Sequence, residues 1–158
     1  MSPKKPKARA GVIAKSAGER QPKAILRLPG NDGRLVVSFQ HVDRAFDGAW
    51  GWPAAGTHDA WEVLDFLCEI SRLTWGEILS QETGQMNKRH KKHHAYSTET
   101  VGSAARARLA DLRINELTDE LFRFRISGPK RLWGWRAEDV FHVLWWDPDH
   151  KVCPSDKN

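Results

Sequence analysis

Two stretches of this chain gather side chains that hold phosphate and move protons. In Asn87-Lys-Arg-His-Lys-Lys-His-His-Ala-Tyr96, the cations Lys88, Arg89, Lys91 and Lys92 stand among His90, His93 and His94. Lysine and arginine attract a polyanion through its phosphates, and imidazole exchanges a proton near neutral pH. The second stretch, residues 121–146, holds Arg123, Arg125, Arg136, His142 and Trp146. Guanidinium groups grip phosphate through paired N–H donors, an indole offers a stacking plane for a base, and Gly134 leaves room for a close approach. Together these residue types suit a polynucleotide, with histidines placed to move a proton at neutral pH. The same residues carry other readings: a hydrated charge run at 88–94, or strand charges that guard a solvated face against aggregation. A metal site could draw on His90, His94 and the turn Asp147, Asp149, His150. No HExxH or Cys/His pattern accompanies it, so neither metal nor cofactor is assigned.

The elements that must position these groups follow from length, charge and periodicity. A chain of 158 residues argues for one domain. Residues 1–27 carry eight Lys/Arg against Glu19, a balance of +7, so the net charge of +5 leaves −2 for the remainder. The basic pI therefore says little about the folded part. Residues 1–23 have little apolar content and read as a disordered basic tail, with a single domain over 24–158. Mean hydropathy is −0.60, and no run approaches the roughly 18 apolar residues of a membrane span. The first 25 residues lack the apolar core of a secretory signal, and Cys68 and Cys153 are too few for a disulfide framework. A reducing, cytoplasmic setting is expected.

Along the chain, Ile25–Leu28 reads as a short strand, Pro29–Gly33 as a turn and Arg34–Val42 as a strand. Ala45–Thr57 is a loop anchored by Trp50 and Trp52. From Thr57, Trp61, Leu64 and Cys68 with Val63, Leu67 and Ile70 mark an amphipathic helix, and Thr74-Trp-Gly-Glu77 is a capping box that opens a short helix through Ser80. Ser97 or Thr98 caps another helix, with Val101, Ala105 or Ala104, Arg108 or Leu109, and Leu112 on its buried face and its end near Asn115. Leu121–Ile126, Arg131–Arg136 and Val140–Trp146 alternate as a three-stranded antiparallel meander. Pairing Ile126 with Arg131 and Trp135 with Phe141 turns Phe122, Phe124, Ile126, Trp133, Trp135, Phe141, Val143 and Trp145 toward the helices. Arg123, Arg125, Leu132, Gly134, Arg136, His142, Leu144 and Trp146 then form the open face, and Arg131 falls on the core side at a strand end.

This order of elements resembles the RelE/ParE toxin superfamily, above all its HigB-like members. The motif lies in Glu120-Leu-Phe-Arg-Phe-Arg125, Gly128-Pro-Lys-Arg131 and Val140-Phe-His-Val-Leu144, followed by Lys151 and Pro154. The likeness spans residues 34–154 in topology and 120–154 in motif. It implies a RelE-like α+β fold, with two helices packed on one face of a mostly antiparallel sheet. It also implies a toxin of a toxin-antitoxin or phage-defence module: a metal-independent endoribonuclease that cuts mRNA at the ribosome by activating a ribose 2′-hydroxyl, and that is held in check by a cognate antitoxin. Arg131 would contact the scissile phosphate with help from Arg123 or Arg125. Lys88, Arg89, Lys91 and Lys92 would take the place of the family's cationic helix residues, Arg136 and Trp146 would bind RNA, and His93, His94 and His142 are the acid–base candidates. The basic tail, the Trp50/Trp52 loop and the Asp147–His150 turn depart from the family pattern, and its Lys-Lys ending is absent. The ParE branch poisons gyrase on the same scaffold, so fold alone does not set the activity. The alternatives are a noncatalytic inhibitor that binds a replication or translation protein through a tryptophan-rich surface, and a nucleic-acid-binding accessory protein.

Overall fold

The structure, a computed structural model, describes residues 30–154. The tail 1–23 and the strand expected at Ile25–Leu28 lie outside the described residues. The elements run β1 (Val36–Ser38), α1 (Thr57–Ile70), α2 (Trp75–Ser80), β2 (Glu82–Thr83), β3 (His90–Lys91), β4 (His94–Ser97), α3 (Ser103–Asp111), β5 (Glu120–Arg125), β6 (Arg131–Ala137) and β7 (Val140–Asp147). Five strands form one α+β sheet in the order β1-β7-β6-β5-β4, antiparallel except where β1 runs parallel to β7; β2 and β3 pair separately.

Local chemistry sets the helix starts. The Asp59 carboxylate accepts the Gly56 N–H at 3.1 Å and opens α1. In α2 the box closes both ways: Thr74 Oγ1 accepts the Glu77 N–H at 3.2 Å, and the Glu77 carboxylate accepts the Thr74 N–H at 2.8 Å. The third helix begins at Ser103, later than expected. Ser97 is occupied as a strand residue opposite Glu120, and the Thr98 N–H donates to the Asp119 carbonyl. The strand expected over Arg34–Val42 shortens to three residues, Val36–Ser38.

The meander is present, but its register differs by one residue at each turn. A tight turn joins Ser127 to Lys130 and the Ile126 N–H bonds to the Lys130 carbonyl, so Arg125 faces Arg131. Glu138 and Asp139 make a two-residue hairpin loop, with Glu138 left-handed at φ 54°, so Trp135 faces His142. A bulge between Trp133 and Gly134 inserts Leu144 into β7. Glycine is required there, because a Cβ on Gly134 would stand 2.0 Å from the His142 carbonyl oxygen. Since strand side chains alternate, a one-residue slip exchanges the faces.

Both faces of the sheet are covered. Phe122, Phe124, Leu132, Phe141, Val143 and Trp146 pack against Val63, Leu67 and Ile70 of α1 and Trp75 and Ile78 of α2. Leu121, Trp133, Trp135, Leu144 and Trp145 pack on the other side against Ala105 and Leu109 of α3, with Trp50 from the long loop. The expectation that both helical segments lie on one face is therefore corrected, because the meander offers an apolar row on each side. Trp146, expected on an open face, is 1% exposed inside the first layer. Asp43, buried beneath α3, accepts two bonds from Arg108 at 2.7 and 2.8 Å and one from the Trp145 indole at 3.0 Å, which ties the loop, helix and sheet together. Among the described residues no helix is long and apolar enough to cross a membrane.

Candidate anion site

At one end of the α3-facing side of the sheet the ladders set cations side by side. His94 of β4 faces Arg123 of β5, Arg125 faces Arg131 of β6, and Arg131 faces Asp147 of β7. Directly opposed residues share a face, so these five side chains, with Tyr96 two residues along β4, project to the same side. The Tyr96 ring lies under Arg123, with the guanidinium carbon 5.1 Å from its centroid. The turn after β7 adds His150, whose Nε2 accepts from Arg123 Nη1 at 3.1 Å. Guanidinium only donates, so the proton of a neutral His150 ring sits on Nδ1.

Asp147 builds that turn. It is fully buried, and its carboxylate accepts the Lys151 N–H at 2.7 Å, the Val152 N–H at 3.0 Å and the Trp133 indole N–H at 3.2 Å. The closed loop holds His150 in the left-handed region at φ 57°, a conformation that costs a non-glycine residue on the order of 1 kcal/mol.

The guanidiniums are short of partners. Arg123 and Arg131 are 7% and 6% exposed. Arg131 Nη1 donates to the Gly128 and Lys130 carbonyls at 2.6 and 2.9 Å, yet among the described residues the Nε of each arginine is buried without an acceptor. A buried donor left unpaired costs about 1–3 kcal/mol, and an unpaired charge costs more. Burial, with Arg123 and Arg125 nearby, draws Arg131 down to about 10, which leaves it charged at neutral pH. Burial and the adjacent Arg123 lower His94; burial with Arg131 and Arg123 lowers His150. Both imidazoles are thus mostly neutral at pH 7, and three arginines outnumber the single carboxylate. The arrangement can grip an oxyanion and offers a neutral imidazole as a base.

Of the residues named from the sequence, Arg123, Arg125, Arg131 and His94 come together here, and Arg131 joins them because of the corrected register. His90, exposed on the β2–β3 hairpin, stacks toward His94 with centroids 6.3 Å apart, so the hairpin reaches the cluster through this ring. Arg89 lines a groove with Ser80, Glu82 and Thr83, Lys88 lines another with Gln85 and Met86, and Lys91 is exposed on β3. Other named residues lie elsewhere. His93 is buried against Phe124 and Phe66; its Nδ1 accepts the Arg125 N–H at 3.2 Å, and its Nε2 meets Gln81 Oε1 at 3.2 Å. Burial, then the Lys92 charge, takes it down to about 3, so it is a neutral structural acceptor. His142 stacks on Trp135 at 4.9 Å, five residues from Asp147 along β7, or about 16 Å by strand rise. Arg136 lies 4.2 Å from the Trp75 ring centroid and gives its donors to Glu138, Asn31 and Gly30, so it fastens the first described turn. Lys92 lines a groove with Asp65 and Glu69 of α1. Trp146 is core. The metal arrangement weighed from the sequence does not assemble: Asp147 is taken up by backbone amides, and among the described residues no three His, Cys, Asp or Glu side chains gather as metal ligands would.

Tyr96, Asp147 and His150 are the site residues that the catalytic reading of the sequence did not include. The signal for them was the count of residues in the two hairpin turns, which decides what shares a face with Arg123. No family model, curated protein or solved structure matches this chain.

Proposed function

We propose that this chain cleaves RNA at a phosphodiester bond, as the toxin of a toxin-antitoxin or phage-defence module. The observation that carries this reading is the pair of buried guanidiniums, Arg123 and Arg131, each with an unpartnered Nε, beside two neutral histidines. Cations buried without acceptors are stabilised by an incoming anion, and most of all by one whose charge grows during reaction. Attack of a ribose 2′-oxygen on phosphorus turns a singly charged diester into a doubly charged phosphorane. His94 takes the 2′-hydroxyl proton, the P–O5′ bond breaks, and the leaving 5′-oxygen takes a proton from His150 Nδ1, once the bound anion has drawn Arg123 off Nε2 and that nitrogen has taken up a proton. A cyclic 2′,3′-phosphate and a 5′-hydroxyl result. The hairpin cations Lys88, Arg89 and Lys91 hold flanking phosphates, and an mRNA threaded through the ribosome is the substrate in the toxin reading, with an antitoxin as its restraint.

Six of the eight tryptophans are buried and Trp61 alone is largely exposed, so an inhibitor with a tryptophan-rich docking surface lacks that surface. The test is induced expression in a bacterial host, following growth and mapping new RNA 5′ ends for wild type, Arg131→Ala and His150→Ala. Growth arrest with new ends that both variants lose is expected. Arrest without new ends would replace the ribonuclease with a binding inhibitor, and soluble protein without arrest would remove the toxin.

A further inference from the structure

The stripe Trp61, Leu64, Cys68 has the spacing of a buried helix seam, and the described residues do not bury it. α1 turns Val63, Leu67 and Ile70 into the core. Trp61 and Leu64 stay 62% and 44% exposed, and Cys68 and Thr57 are exposed with them. Thr57, Trp61, Leu64 and Cys68 follow one another at intervals of four, three and four, the a/d spacing by which one helix packs along another. α1 therefore has two apolar faces, one used inward and one presented outward.

The charges beside the outward face are uniform in sign on α1. The helix carries Asp59, Glu62, Asp65 and Glu69 and neither lysine nor arginine. Asp59 is taken up at the helix start, and Glu62 by Lys130 and Ser127. Asp65 and Glu69 are exposed and, among the described residues, have no ion-pair partner; at 100° per residue both fall on the same flank of the stripe as His58, with Lys92 beyond them in the adjoining groove.

We infer that the outward face of α1 is a docking surface for a cationic amphipathic helix of another polypeptide, which lays apolar residues along Thr57, Trp61, Leu64 and Cys68 and sets lysine or arginine against Asp65 and Glu69. Charge complementarity selects this occupant. A second copy of α1 would bring neither lysine nor arginine to Asp65 and Glu69, because the helix carries none. The surface is separate from the arginine cluster and does not depend on the ribonuclease reading.

The probes are two synthetic peptides of about 20 residues with the same leucine seam, one flanked by lysine and one by glutamate, titrated into the full chain by fluorescence anisotropy. The lysine peptide is expected to bind at least about tenfold tighter than the glutamate peptide despite the chain's net positive charge. Trp61→Ser with Leu64→Ser, checked for fold by circular dichroism, should weaken it at least about tenfold. Asp65→Lys with Glu69→Lys should reverse the preference, a result that damage to the fold does not produce. Equal binding of the two peptides, no binding up to about 1 mM, or binding undiminished by the serine pair overturns the inference. Self-association lost in the serine pair would hand the face to a second copy. Lysine-peptide binding that appears only when Lys4, Lys5, Lys7 and Arg9 are changed to Glu would hand it to the chain's own basic segment.

Discussion

Asp147 stands directly opposite Arg131 on the β6–β7 ladder and gives its carboxylate to three other donors. The pairing that neighbouring opposite charges would make is withheld, and Arg131 keeps a buried Nε with nothing to donate to. A protein tuned for stability would close that pair or replace it with apolar side chains. An anion-binding protein leaves it open, because the acceptor arrives with the ligand.

That contrast predicts opposite effects on stability and activity. Arg123→Met keeps the length of the side chain and removes a buried charge with an unsatisfied donor. Its urea midpoint should equal or exceed that of wild type, while RNA cleavage falls by about two orders of magnitude or more. A loss of more than about 1.5 kcal/mol in unfolding free energy would show that Arg123 is structural.

Asp147 is expected to act through His150 as a positioning residue. Asp147→Asn loses part of the acceptor capacity that closes the loop, and the fold should weaken by about 1–3 kcal/mol. If its effect on cleavage runs through His150, the double variant with His150→Ala will cleave no more slowly than His150→Ala alone. Additive losses in that cycle would give Asp147 an independent role.

The pH dependence separates the histidines. His94 and His150 are lowered below the ordinary imidazole range by burial and adjacent arginines, so the neutral base persists as pH falls. The acid limb of kcat/KM should therefore have its midpoint below about 6.5, the unperturbed imidazole value. Replacing Arg123 with Met removes one cause of the shift and should move that midpoint upward. A midpoint unmoved by Arg123→Met would assign the limb to another group.

The meander, α1, the capped α2 and the buried Trp50 were legible because alternation, 3.6-residue spacing and a capping box are local signals. The faces of the meander were not. Whether Arg125 or Ile126 meets Arg131 depends on one residue in the Ser127–Lys130 turn, and whether Trp145 and Trp146 point apart depends on the Leu144 bulge opposite Gly134. β4 was hidden for a different reason. His94-Ala-Tyr-Ser97 has no apolar alternation, because an edge strand whose face meets Arg123 has nothing apolar to signal. Arg123, Arg125 and His94 were named from their chemistry and Arg131 from the family resemblance, and His150 was absent from the acid–base set because its partner is set by the turn that Asp147 closes.

His93 supplies a stability test that is independent of function. Its folded pKa is depressed to about 3, so the unfolded chain binds the extra proton first as pH falls. The contribution of the neutral ring is fully present above about 6.5 and is lost progressively between there and about 3, at roughly 1.4 kcal/mol per pH unit. Between pH 7.5 and 5 wild type should thus lose roughly 2 kcal/mol through this residue. His93→Gln keeps an acceptor for the Arg125 N–H and cannot titrate, so its unfolding free energy, measured by urea at both pH values, should fall by that much less than wild type's. Equal pH dependence in the two proteins would mean that His93 is solvated and free to charge, and that the β4–β5 edge is held without it.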